Sequence, residues 1–143
     1  MPITVKRITL WRAEVDNKPG TLAATLEPPA RAGADLKVVM GYRHGEGKAA
    51  IEVYPIAGRK AAAAAQSGGL GASAIPTLLV EGDDKPGLGH AIAQAVAGAG
   101  INFAFFVAQV IGRKYSAVFG FETDDDAKKA SSVIKKAAGT RRR

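Results

Sequence analysis

The feature that most constrains this chain is an internal repeat. Asp16-Asn17-Lys18-Pro19-Gly20 returns as Asp83-Asp84-Lys85-Pro86-Gly87, 67 residues later. The offset then continues without a gap. Ala24 aligns with Ala91, Ala32-Gly33 with Ala99-Gly100, Gly45 with Gly112, Ala50 with Ala117 and Ile51 with Val118, while Asp35 falls opposite Asn102 and Leu36 opposite Phe103. Ten of the forty pairs from 16/83 to 55/122 are identical, mostly at turns and helix ends where backbone geometry restricts residue choice. A chain of 143 residues built this way holds two copies of one structural unit. The division falls at residues 1–70 and 71–143, across a Gly-rich linker from Ser67 to Ser73.

Each copy reads as β-α-β-β-α. In the first, Ile8 to Val15 has strand character and Thr21 to Arg31 is helix-length, with Leu22 and Leu26 four apart on one face. Gly33 suits the left-handed position that closes a helix. Ala34 to Tyr42 alternates as a strand, Arg43 to Gly47 forms a hairpin turn, and Ala49 to Tyr54 returns. Arg59 to Gln66 is a second, alanine-rich helix, and Pro28-Pro29 predict a kink or stop in the first. In the second copy the strands are 75–81, 103–111 and 115–121, and the helices are 88–99 and 123–138. Thr123 fits an N-cap followed by three acids in the first turn.

This order is the split βαβ, ferredoxin-like unit, an α+β class with antiparallel sheets and helices on one face. Both copies lack a clear fourth strand: Gly68 to Ser73 offers only a weak one, and Gly-Thr-Arg follows Ala138. An unpaired first strand would be an exposed edge. The units, or two chains, are therefore expected to share strands.

Composition removes several function classes. The chain has no cysteine, which excludes thiolate nucleophiles, disulfides and Cys-zinc sites. No apolar run reaches the ~20 residues of a membrane span, and no secretory h-region opens the sequence, so a cytoplasmic location is expected. The net charge of +7 is spread, +4 before residue 72 and +3 after it, and the latter equals the run Arg141, Arg142, Arg143. That is a diffuse excess rather than a basic stripe. Of the two histidines, His44 lies in a hairpin turn, and His90 near Asp83 and Asp84 lacks a second His at i+4. No metal, no cofactor, no catalytic set and no G-x-G-x-x-G fingerprint is read, so the chain is expected not to be an enzyme.

The β-to-α loop carries the functional signal. Glycine lets backbone approach a ligand, Pro stiffens the turn, and the free amides of a helix's first turn favour a carboxylate. Any β-to-α turn favours Asp, Pro and Gly, but here nearly the same pentad stands at the same place twice.

Val15 to Leu22 with Ala32-Gly33-Ala34-Asp35, and Glu81 to Leu88 with Ala99-Gly100-Ile101-Asn102, resemble the signature of the ACT domain. The resemblance spans residues 5–137. It implies small regulatory βαββαβ modules, paired, holding an amino acid at an interface between units against the Pro-Gly loop. By position it implies ligand contacts at Asp16, Asn17, Lys18, Pro19, Gly20, Thr21, Leu22 and Asp35, and at Asp83, Asp84, Lys85, Pro86, Gly87, Leu88, Gly89 and Asn102. Serine-binding members carry a His where this chain has Val15 and Gly82, which argues against serine. With no fused catalytic segment, the reading is a stand-alone tandem ACT protein, a homodimer that binds a small amino acid and passes the change to an enzyme or regulator.

Two other readings compete. One is an ACT scaffold that dimerises and binds no small molecule. The other is RNA binding, since Arg113 to Phe121 looks like the RNP1 strand of an RRM. Ser116 and Val118 occupy the expected stacking places, however, and the Phe103/Phe105 alternation suits an interior.

Overall fold

The computed structural model describes residues 3–139, so the Arg141–Arg143 tail lies outside the described residues. In chain order the elements are β1 (Thr4–Ile8), β2 (Trp11–Asp16), α1 (Thr21–Arg31), β3 (Val38–Arg43), β4 (Lys48–Tyr54), α2 (Arg59–Ser67), β5 (Gly71–Ala72), β6 (Thr77–Asp83), α3 (Leu88–Gly98), β7 (Phe103–Ile111), β8 (Lys114–Phe121) and α4 (Asp124–Gly139). They form two antiparallel four-stranded sheets, ordered β3-β4-β2-β5 and β1-β6-β8-β7. Both are the ferredoxin-like arrangement, and the α+β reading stands.

The fourth strands come from different places. Thr9–Ala74 form one unit, in which two-residue β5 pairs with Trp11 and Arg12 of β2. The other unit contains the residues from Ile75 onward together with β1, which lies antiparallel on β6 with Val5 opposite Val80. A single strand over Ile8–Val15 is thus corrected to two strands separated by Thr9-Leu10. The division drawn at residue 70 leaves β1 with the first half, whereas backbone pairing carries it to the second.

Within Thr9–Ala74 the core is Ala13, Ile51, Val53, Ala65 and Leu70, with Trp11, Val15 and Leu26 packed on it. Alanines 61 and 65 form the buried side of α2, which lets that helix lie close. α1 runs through Pro28 and Pro29 to Arg31, where the sequence predicts a kink or stop. Each proline forfeits one helical hydrogen bond. Pro29 is fully buried, and the carbonyls of Pro28 and Pro29 still accept from Ala32 and Ala34. Gly33 closes the helix at φ 82.

The opposite face of this sheet carries a charged web. Glu52 is fully buried, accepts a hydrogen bond from the Tyr42 hydroxyl, and has Arg12 Nε 3.9 Å away. Arg12 also pairs with Glu14 at 3.1 Å. Burial, reinforced by the Glu52 carboxylate, pushes the Tyr42 phenol up to about 12.

The second core is larger. Leu78, Val80, Phe119 and Phe121 of the sheet meet Ile92 and Val96 of α3 and Ala130 and Ile134 of α4. Phe119 and Phe121 are buried there, and Phe106 stacks on Phe119 with ring centroids 4.6 Å apart. Phe119 and Phe121 are thus interior, whereas Phe106 is exposed on β7. α4 starts with the Thr123 hydroxyl accepting the Asp126 amide at 3.0 Å, the N-cap that the sequence implies. No helix among the described residues is long and apolar enough to cross a membrane.

Two outcomes are expected. A Cβ on Gly82 would lie 2.7 Å from the Ile3 backbone. Gly82→Ala should therefore destabilise by about 1–3 kcal/mol in urea unfolding, whereas Gly98→Ala, which meets nothing within 4 Å, should not destabilise. The Tyr42 phenol, raised from its ordinary value of 10 to about 12, contributes stability that is complete below pH 10 and is lost as pH climbs through 12. Absorbance titration at 295 nm should show a late phenol that disappears in Tyr42→Phe.

Candidate functional site

The two copies of the loop can be superimposed through strand pairing. Asp16 lies opposite Lys48 on the β2–β4 ladder, and Asp83 opposite Lys114 on the β6–β8 ladder. Both aspartates bind those lysines, at 2.8 and 2.7 Å, and both carboxyls are held below the usual range by that hydrogen bond. The offset is therefore 67 on the first strand of each unit and 66 on the last. Three residues connect His44 to Lys48, but only Gly112 and Arg113 connect Ile111 to Lys114. The ungapped alignment of Ala50 with Ala117 and Ile51 with Val118 is corrected accordingly. Val15–Ala49 corresponds to Gly82–Tyr115, and Gly41 to Ala108.

At the first loop there is a cavity of about 280 Å³. Asp16, Asn17 and Lys18 form its mouth, with Thr21 and Leu22 of α1 on one side. The floor is Val15, Ala49 and Ile51, and the edge strand contributes Gly41, Tyr42 and Arg43. The space exists because two lining positions are small. Ala49 stops at Cβ, and Gly41 offers no side chain; an added Cβ there would stand 4.0 Å from Leu22. Leu22 is 44% exposed above the opening. Gly20 sits at φ 91 as the α1 N-cap, with no side-chain cap and no acid in the first turn. No acceptor for the Leu22 and Ala23 amides is found among the described residues, so this end carries uncompensated positive dipole.

Five expected residues thus share the cavity wall: Asp16, Asn17, Lys18, Thr21 and Leu22. Pro19 and Gly20 are exposed in the turn between them. Asp35 is elsewhere, exposed and paired with Lys37 at 2.8 Å. Tyr42, Arg43, Gly41 and Ala49 belong to the wall but were not among the sequence candidates. The hairpin register would have pointed to them.

The second loop is built differently. Gly87 repeats the left-handed N-cap at φ 82. Leu88, however, is core, packed with Val80 and Ile92. Tyr115, at the position of Ala49, is 4% exposed in the same core. Its hydroxyl lies 3.8 Å from where a Gly89 Cβ would stand. Burial, then the nearby Asp84 charge, raises its phenol. Asp83 and Asp84 line an open depression of about 340 Å³ with Gly112 and Arg113, a second of about 400 Å³ lies along Glu81–Asp83 and Lys114–Ser116, and Lys85, Pro86 and Gly87 are exposed. Asn102 is exposed before β7. No group of three or more His, Asp or Glu positioned to hold a metal occurs among the described residues.

No known family profile matches the chain, and no curated protein matches it. Solved structures do. A protein from Bacteroides thetaiotaomicron superimposes with a TM-score of 0.71 at 12% identity, covering 92% of this chain and 98% of that one. The ligand-free regulatory subunit of aspartate kinase from Thermus thermophilus gives 0.63 at 16%, covering 96% and 97%. A putative C-terminal regulatory domain of aspartate kinase from Porphyromonas gingivalis gives 0.58 at 11%, covering 95% of both chains. The likeness lies in the fold and extends over nearly the whole length: the chain is a tandem of two ferredoxin-like units.

Proposed function

We propose that the chain is a regulatory module that binds a small amino acid at its first Pro-Gly loop. The observation that carries this reading is the cavity beside Asp16–Leu22. Its volume of about 280 Å³ lies just under the ~300–1,000 Å³ of drug-sized sites and suits a ligand of one residue. Its chemistry is that of a zwitterion with a modest apolar side chain. The open amide of Leu22 and the cations Lys18 and Arg43 suit a carboxylate; Asp16, whose carboxylate also binds Lys48, suits an ammonium; Val15, Ala49 and Ile51 suit the side chain. The kinship in fold with aspartate kinase regulatory subunits supports a regulatory role over a catalytic one. Occupancy would then be passed to a partner enzyme or regulator.

A second copy of the chain is the proposed partner in assembly. β7 is a nine-residue edge strand without a single charge, and Phe106, Val107, Val110 and Ile111 on it are 40–66% exposed. Such an edge is normally covered or blunted. Two β7 strands run antiparallel about a two-fold would satisfy both ladders and bury both apolar rows without opposing like charges.

Thermal-shift screening against the standard amino acids tests the binding reading. One of them at about 100 times its Kd should add about 2.7 kcal/mol of stability. Gly41→Val, which fills the cavity at an ordinary backbone conformation, should remove the shift and keep the fold; Gly20 is less suitable because φ 91 strains any replacement. No response to any standard amino acid would favour the scaffold reading, and RNA binding with steep salt dependence would replace both. For assembly, light scattering should give twice the 14.8 kDa chain mass, falling to one chain in Val110→Lys/Ile111→Lys.

A further inference from the structure

We infer that the duplicated loop has diverged into one open cradle and one that the chain fills with its own residues, Tyr115 being the filling residue, so that each chain takes one ligand. The inference deepens the proposed binding function and rests on it for the ligand count alone.

Three observations carry it. First, ladder pairing makes Ala49 and Tyr115 equivalent positions, one strand inward from equivalent loops. An alanine there leaves the cavity floor low; a tyrosine reaches across it. Second, Tyr115 does so: its ring is part of the core, and its hydroxyl ends against Gly89 in the first turn of α3. Gly89 stands where the first copy has the exposed Leu22, so the side chain at the mouth has been lost as the floor has grown. The hydroxyl has no hydrogen-bond partner among the described residues, so it lies in this space without the anchoring that usually accompanies a buried phenol. Third, the adjoining strand position is closed too. Gly82 replaces Val15, and its missing side chain admits Ile3, whose Cα would be 2.7 Å from a Cβ at Gly82. The depressions at this end involve Glu81–Asp84 and Lys114–Ser116, and neither includes a residue of α3.

The consequence is a division of labour. Both loops keep the Pro-Gly turn and a glycine N-cap, because both must turn from strand into helix. Only at the first does a cavity reach in between the loop and its helix.

The test uses the full chain, each standard amino acid titrated separately, and ¹H–¹⁵N spectra that resolve the two loops. The amino acid that binds should shift the amides of Gly20, Thr21 and Leu22 and leave those of Gly87, Leu88 and Gly89 in place, at one equivalent per chain. Tyr115→Ala should bring the second group into play and raise the count to two. Ala49→Tyr, the reciprocal change, should weaken binding at least tenfold while the dispersed spectrum of a folded chain persists, and it decides the matter if Tyr115→Ala does not fold. Two equivalents in the unaltered chain, or one equivalent in folded Tyr115→Ala, would overturn the inference. If no standard amino acid binds, the functional reading fails by itself. Benzene then probes the filling directly: it should shift Leu88 and Gly89 in Tyr115→Ala but not in the unaltered chain, and a shift in both or in neither would overturn it.

Discussion

Each sheet here depends on a strand pairing along the outer side of β2 or β6. A split βαβ unit leaves that side of its first strand open, and unpaired N–H and C=O groups there are costly and adhesive. The chain meets the requirement twice by different means. β5 contributes two residues to β2, and β1 contributes five to β6. The longer pairing brings Ile3 and Val5 onto the core of β6–β8 and makes Gly82 necessary, because the backbone ahead of β1 passes too close for any side chain. A demand of hydrogen bonding thus fixes a residue choice beneath the second loop.

The same economy explains why the loops differ in capacity. A β-to-α turn with glycine at the helix N-cap is a backbone solution, and both units use it. What lies beneath is decided by packing. The Thr9–Ala74 core is small and rich in alanine, and it leaves room at Gly41 and Ala49. The other core is aromatic and closes over Tyr115.

Much of this was legible in the sequence because it is local. The repeated Asp-x-Lys-Pro-Gly, Gly33 after α1, Thr123 before α4 and the hairpins each follow from backbone geometry that few residues satisfy, and each appears where expected. What was not legible is non-local. No Gly or Pro separates β1 from β2, only Thr9-Leu10, so the two read as one strand. The one-residue difference between the hairpin loops was hidden because both contain glycine, at 45 and at 112. That single residue turns Ala49 from a partner of Ser116 into a partner of Tyr115, and with it the identity of the site's floor. The surroundings of Asp35 were hidden for a similar reason: sequence distance fixes its place after the helix but not its ion pair with Lys37.

The position of β1 also sets an order of events in synthesis. Thr4–Ile8 are made before the rest of their sheet: their ladder partner, Thr77–Asp83, is some 70 residues behind and is itself paired to β8, which is later still. Thr9–Ala74, by contrast, contain all four strands of their own sheet. During translation the interior unit can close as soon as Gly71–Ala72 emerges, while the leading strand stays unpaired until the far side of its sheet exists. Closing that long loop late is entropically slow. The nascent chain thus carries a waiting strand, and Lys6 and Arg7 within it supply the charge that discourages premature partners.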